Sequence, residues 1–228
     1  MPFFFWDPTM IIVLPALALA IYAQFKVRSA YNKYSEVESS SYRTGAEIAR
    51  AILDSNGLYD VRVEETPGTL TDHYDPRDKT VRLSSGNYYG RSLAAAAIAA
   101  HECGHALQDA QDYSFLRFRH SLFPVANIGS MAAFPLFLAG FFFGPKLMLL
   151  GILLFTAALL FQVVTLPVEF NASSRAMSQM VSLGILRNVE ERGARKVLNA
   201  AALTYVAGAL MSALELVRLL LIFNSQEE

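Results

Sequence analysis

The chain has 228 residues, 54% of them hydrophobic and 17% charged, with a formal net charge of −1 and a mean hydropathy of +0.32. Nineteen basic residues are mixed with twenty acidic ones, which excludes a basic surface of the kind that holds nucleic acid, and a single cysteine, Cys103, excludes an intramolecular disulfide. The apolar residues collect in blocks long enough to cross about 30 Å of hydrocarbon, so an ordinary soluble domain is excluded too.

The first apolar block runs from Pro8 to Phe25, "PTMIIVLPALALAIYAQF", extended backwards by Phe3 to Trp6. It has no positive n-region, and Lys26, Arg28 and Lys33 follow it, so it reads as a retained anchor rather than a cleaved signal. Ser39 to Gly57 predicts an amphipathic helix: Thr44 and Glu47 form a capping box, Ile48, Ile52 and Leu53 make an apolar stripe, and Gly57 supplies a left-handed stop. "YDVRVEET", Tyr59 to Thr66, alternates as a half-buried strand does, with Pro67 and Gly68 as its turn. A second strand, Lys79 to Ser84, follows the turn-forming "YDPRD" and is expected at a sheet edge where an extended peptide could add as another strand.

A helix starting near Ser92 comes next, in "AAAAIAAHECGHALQDA", Ala94 to Ala110. Leu122 to Phe143 and Leu147 to Val168, separated by "GPK", predict a transmembrane hairpin, and Ala202 to Phe223 a last span at the far end of a helix beginning near Glu190. The expected class is mainly α: a polytopic membrane protein with four transmembrane helices and a small cytoplasmic α+β unit. Its expected parts are an anchor (1–25), the cytoplasmic α+β region (26–121), the hairpin (122–168), cytoplasmic helices (169–196) and a C-terminal transmembrane helix with its tail (197–228).

Of the nineteen Lys and Arg, twelve fall between Lys26 and Arg119 and five between Arg175 and Lys196. The positive-inside rule therefore puts both polar segments in the cytoplasm and the Lys146 turn and the tail "NSQEE" outside. Glu215 and Arg218, three apart near the outer end of the last span, pair or snorkel.

His101 and His105 are four residues apart, about 40° around a helix, so both can reach one cation. With Glu102 they make H-E-x-x-H, in which two imidazoles bind zinc and the glutamate handles a proton. A catalytic zinc takes three protein ligands and keeps one position open. A third histidine six residues on, with glycine at three, is ruled out because those positions are Gln111 and Gln108. Glu169 is the alternative: it stands where the third span returns to the cytoplasmic surface, and a carboxylate at the end of an apolar run is costly unless it is paired or bound to metal. Pro167 is expected to break or kink the helix there. His73 and His120 are weaker ligands, Asp109 and Asp112 lie further along the same helix, and Cys103 points into packing.

The strings "TDHYDPRDKTVRLSSGNYYGRSLAAAAIAAHECGHALQ", "LPVEFNASSRA" and "ERGARKVLNAAALTY", in this order around a hairpin, resemble the YugP-like neutral zinc metallopeptidases of bacterial membranes, from about Tyr42 to Tyr205. The resemblance implies a zincin-like, gluzincin-like unit with one zinc per chain held by His101, His105 and Glu169, and Glu102 as catalytic base. More distantly the layout is similar to the HtpX and CAAX-protease clan, whose third-ligand helix reads E-x-x-A-D; here Ser173 stands in the fifth position, so Asn171 or Asp109 could substitute in supporting a histidine.

The expected function is hydrolysis of peptide bonds in unfolded or membrane-adjacent segments, at the cytoplasmic face of a bacterial cell membrane, by Glu102-assisted attack of a water acidified by zinc. The partners are a protein or peptide substrate and the lipid bilayer. A donor to the oxyanion is also needed, for which His73, Tyr74, Tyr88, Tyr89 and Arg175 qualify by type, Arg175 and Tyr88 first. The alternative is a metal-binding membrane scaffold or chaperone without turnover, against which the glutamate beside the ligand argues. A transporter is discouraged by the absence of paired broken helices.

Overall fold

A computed structural model describes residues 8–226; Phe3 to Trp6 and the last two residues of the tail lie outside the described residues. The chain divides into two compact units, one of Met1–Gln24, Arg117–Leu166 and Thr204–Glu228, the other of Phe25–Leu116 and Pro167–Leu203.

Three helices among the described residues are long and apolar enough to cross a membrane, α5 (Ser114–Phe143), α6 (Pro145–Ser182) and α7 (Asn188–Asn224), and the first unit holds their residues 117–166 and 204–224. At about 1.5 Å per residue each exceeds the hydrocarbon thickness, so each has residues left over beyond a span. Gly144, at φ +113, makes the turn between α5 and α6. Their backbones come close where glycine removes a side chain: a Cβ on Gly129 would stand 2.5 Å from the Leu154 carbonyl oxygen, and one on Gly151 2.6 Å from that of Ala133. Close approach over small residues is how helices pack where no hydrophobic effect drives them together. Arg218 pairs with Glu215 at 2.8 Å and donates to Thr9 at 3.2 Å.

Three such helices stand against the four crossings expected. The described part of the first block divides into a 3-10 turn, Pro8–Ile12, and α1 (Leu14–Ser35), whose second half carries Lys26, Arg28 and Lys33 and dilutes its apolar character. The expected break at Pro167 is also corrected, because α6 runs through it from Pro145 to Ser182. Proline removes one N–H, and the surrounding turns carry the helix past it.

In the second unit, α2 (Gly45–Ser55) starts with the full capping box, Glu47 N–H to Thr44 and Thr44 N–H to Glu47, and Gly57 follows at φ +74. Three strands, β1 (Arg62–Thr66), β2 (His73–Asp75) and β3 (Thr80–Ser84), form a sheet in the order β1-β3-β2. Val63 pairs with Val81 in parallel register and Tyr74 with Val81 in antiparallel register. The expectation that β3 is an edge is overturned: it is central, with Val81 and Leu83 fully buried. Tyr74 and Asp75, read as turn, belong to β2, and the turn follows them with Lys79 at φ 51.

A single helical turn, α3 (Ser85–Tyr88), leads to α4 (Leu93–Ala110), capped by Ser92 accepting from the Ala95 N–H. Ala94 to Ala97, Ala99 and Ala100 are fully buried with Ile48, Ile52 and Leu53 of α2, and Met177, Met180 and Leu198 complete the same core. Small side chains let α4 sit deep in this core, which leaves its longer polar residues confined to one face. Cys103, fully buried, lies 3.6 Å from the Ala49 carbonyl.

Candidate metal centre

α4 carries His101, Glu102 and His105 on successive positions of one turn, and α6 carries Glu169, all within the second unit. Glu169, 3% exposed, puts Oε2 3.2 Å from His101 Nε2 and 3.6 Å from His105 Nε2. The imidazole rings stand 4.8 Å apart at 85°, and one ligand atom from each of the three residues lies within 4.8 Å of the others.

The donor set fits zinc. Ligand atoms about 2.0–2.1 Å from a tetrahedral ion lie about 3.3 Å from one another, and the two carboxylate separations straddle that value. Two imidazole nitrogens and one carboxylate oxygen are also what a catalytic site uses when a fourth position is left open.

The approach that makes this possible is set by a glycine inside the motif. A Cβ on Gly104 would fall 2.5 Å from the Ala172 carbonyl oxygen, so only at glycine can α4 come this close to α6. Ala172 itself is fully buried.

Each imidazole is held from its other nitrogen. His101 Nδ1 lies 3.2 Å from Ser173 Oγ, and His105 Nδ1 lies 3.0 Å from Gln108 Oε1. The Gln108 amide donates to the Val168 carbonyl at 2.8 Å and to Asn171 Oδ1 at 3.0 Å; Arg175 Nε donates to the same Asn171 oxygen and Nη1 to Gln111 Oε1, both at 2.6 Å. Asn171 thus enters the support indirectly, while the Asp109 carboxylate accepts from the Tyr74 hydroxyl at 2.9 Å.

Glu102 is 8% exposed, and its carboxylate accepts no hydrogen bond among the described residues. Burial pushes its carboxyl above the ordinary value, against the pull of His101 and His105. Burial alone would lower His105, but Glu169 and Glu102 outweigh it and hold the imidazole above its usual range. Burial likewise raises the Cys103 thiol, which keeps it protonated and inert.

Among the other residues singled out in the sequence, Arg175 is engaged by Asn171 and Gln111 and lies over the Tyr113 ring at 5.9 Å. Tyr88 lines an open groove with Val63, Arg43, Glu47, Arg50 and Asp54. Tyr89 donates to Glu65, and His73 is exposed with Nδ1 at the Thr71 carbonyl. His120 belongs to the other unit. Gln108 and Gly104 were not singled out in the sequence. The signal for Gln108 was its place three residues after His105, on the ligand face of an otherwise apolar helix.

No solved structure matches this chain. A curated relative, "Putative membrane protease YugP" of Bacillus subtilis (strain 168), is 58% identical over 219 residues, covering 95% of this chain and 97% of the relative. Residues 9–224 match the family described as "Putative neutral zinc metallopeptidase", and the chain belongs to that family.

Proposed function

We propose that the protein is a multi-pass membrane zinc endopeptidase that cleaves unfolded or membrane-adjacent protein segments at the cytoplasmic face of a bacterial membrane. The observation that carries this reading is the convergence of His101, His105 and Glu169 with the buried carboxylate of Glu102 beside them. Zinc held by these three residues supplies a Lewis acid for the scissile carbonyl and lowers the pKa of water. Glu102, next to a ligand and with no competing hydrogen bond, takes the proton of the attacking water and returns it to the leaving amine. Arg175 acts through Asn171 and Gln111 as a brace.

Placement at the membrane surface is supported by position along α6. Glu169 is 24 residues after Pro145, about 36 Å at 1.5 Å per residue, more than a hydrocarbon core. Cleavage is therefore proposed at the interface, not at the bilayer midplane. Pro8 to Phe25 is proposed as the fourth crossing, since Ile11, Leu14, Leu17, Ile21 and Phe25 all present apolar side chains outward.

The testing experiment is metal content by mass spectrometry on detergent-purified wild type and Glu169→Ala. One zinc per chain in the wild type, largely lost in the variant, is expected; full zinc in the variant would remove Glu169 as a ligand, and none in the wild type would remove the zinc reading.

A further inference from the structure

Behind the ligands lies a fully buried amide. Gln108 is 0% exposed, and its three hydrogen bonds leave its orientation no freedom. A backbone carbonyl only accepts, so the atom facing Val168 is the amide nitrogen and the atom facing His105 is the amide oxygen. That oxygen also only accepts. His105 therefore keeps a proton on Nδ1, which leaves Nε2, on the side where Glu169 stands, as the nitrogen that would face a metal. His101 has no such control, because the Ser173 hydroxyl at its Nδ1 can donate or accept.

The second role of the same amide concerns α6. Val168, whose carbonyl Gln108 holds at 2.8 Å, immediately precedes Glu169, and Asn171, held at 3.0 Å, follows two residues later. Asn171 Oδ1 is fixed in turn by Arg175. The contacts bracket the third ligand from both sides along the helix.

We propose that Gln108 is a positioning residue that fixes the His105 tautomer and the height of Glu169 against α4, so that one side chain sets two of the three metal ligands. The proposal rests on the zinc reading of the site. A side chain of similar size without the amide would fill the space but leave the His105 Nδ1–H without its acceptor, and losses of this kind weaken metal binding by about 10–100-fold.

The test uses full-length wild type and Gln108→Met in detergent. Zinc affinity is measured by competition with a chromophoric chelator, and the histidine side-chain N–H signals of the zinc-loaded proteins are followed by 15N NMR. The expected result is one zinc per chain in the wild type, a Kd about 10–100-fold weaker in the variant, and a His105 Nδ1–H that exchanges slowly in the wild type and rapidly in the variant. Equal zinc affinity, or equally fast exchange in both proteins, would overturn the role of Gln108 and leave the zinc site standing. Wild type that binds no zinc would overturn the reading beneath it, and the proposal with it. Should the methionine variant not fold, Asn171→Ala, which removes one anchor of the amide without touching either histidine, is expected to weaken zinc in the same direction but less; unchanged affinity there overturns the proposal equally.

Discussion

Glu102 lies beside His101 in a buried position, with no side-chain hydrogen bond among the described residues to offset its charge. Burial raises its carboxyl above the ordinary glutamate value, so the folded metal-free protein binds this proton more tightly than the unfolded chain does. The sign follows from linkage: the stability that Glu102 contributes is present below about pH 4.5 and is lost as pH climbs toward its raised folded value. Glu102→Gln removes the ionisation. Zinc-free Glu102→Gln is therefore expected to melt higher than zinc-free wild type at neutral pH, by about 1–3 kcal/mol, with a gap that narrows as pH falls toward 5. The same variant should keep its zinc and lose turnover by about 10²–10⁴-fold. A variant that cleaves at the wild-type rate would remove Glu102 as the base, and one that melts lower at pH 7 would remove the account of its burial.

At the scale of elements, the site depends on how near α4 comes to α6. Gly104 and Ala172 set that distance, since a Cβ at 104 would meet backbone atoms that cannot swing aside. Gly104→Ala is expected to push the helices apart, to cost about 1–3 kcal/mol through overpacking, and to weaken zinc at least tenfold because Glu169 moves with α6. Thermal midpoint and chelator competition read the two effects separately. Zinc bound as tightly as in wild type would mean that Glu169 follows the histidines without this close approach. Glu169, Ala172 and Ser173 share the face toward α4 because they stand three and four residues apart on α6.

For the whole molecule, the proposed topology, supported by the excess of Lys and Arg in both polar segments, puts those segments in the cytoplasm and the Lys146 turn outside. The buried Cys103 gives a quiet background for labelling. Lys146→Cys is expected to react with a membrane-impermeant maleimide on intact cells. Tyr59→Cys, at a position 75% exposed in the wild type, is expected to react only after permeabilisation. The opposite pattern would invert the topology and move the site to the outer face.

Spacing along the chain encodes the local part of the chemistry. His101, Glu102 and His105 share a helical turn because 3.6 residues per turn puts them there, the Thr44–Glu47 box and Gly57 delimit α2, and "GPK" closes α5 against α6. Glu169 was legible because a carboxylate ending an apolar run has to be accounted for. The rest is set by neighbours distant in the chain. β3 is central because burial on both faces depends on which strands flank it, and the three residues of β2 are too few to leave a period of their own. Gln108 is a partner of His105 only because α6 supplies Val168 and Asn171 sixty and sixty-three residues away, and a glutamine reads the same in sequence whether it faces water or a buried carbonyl.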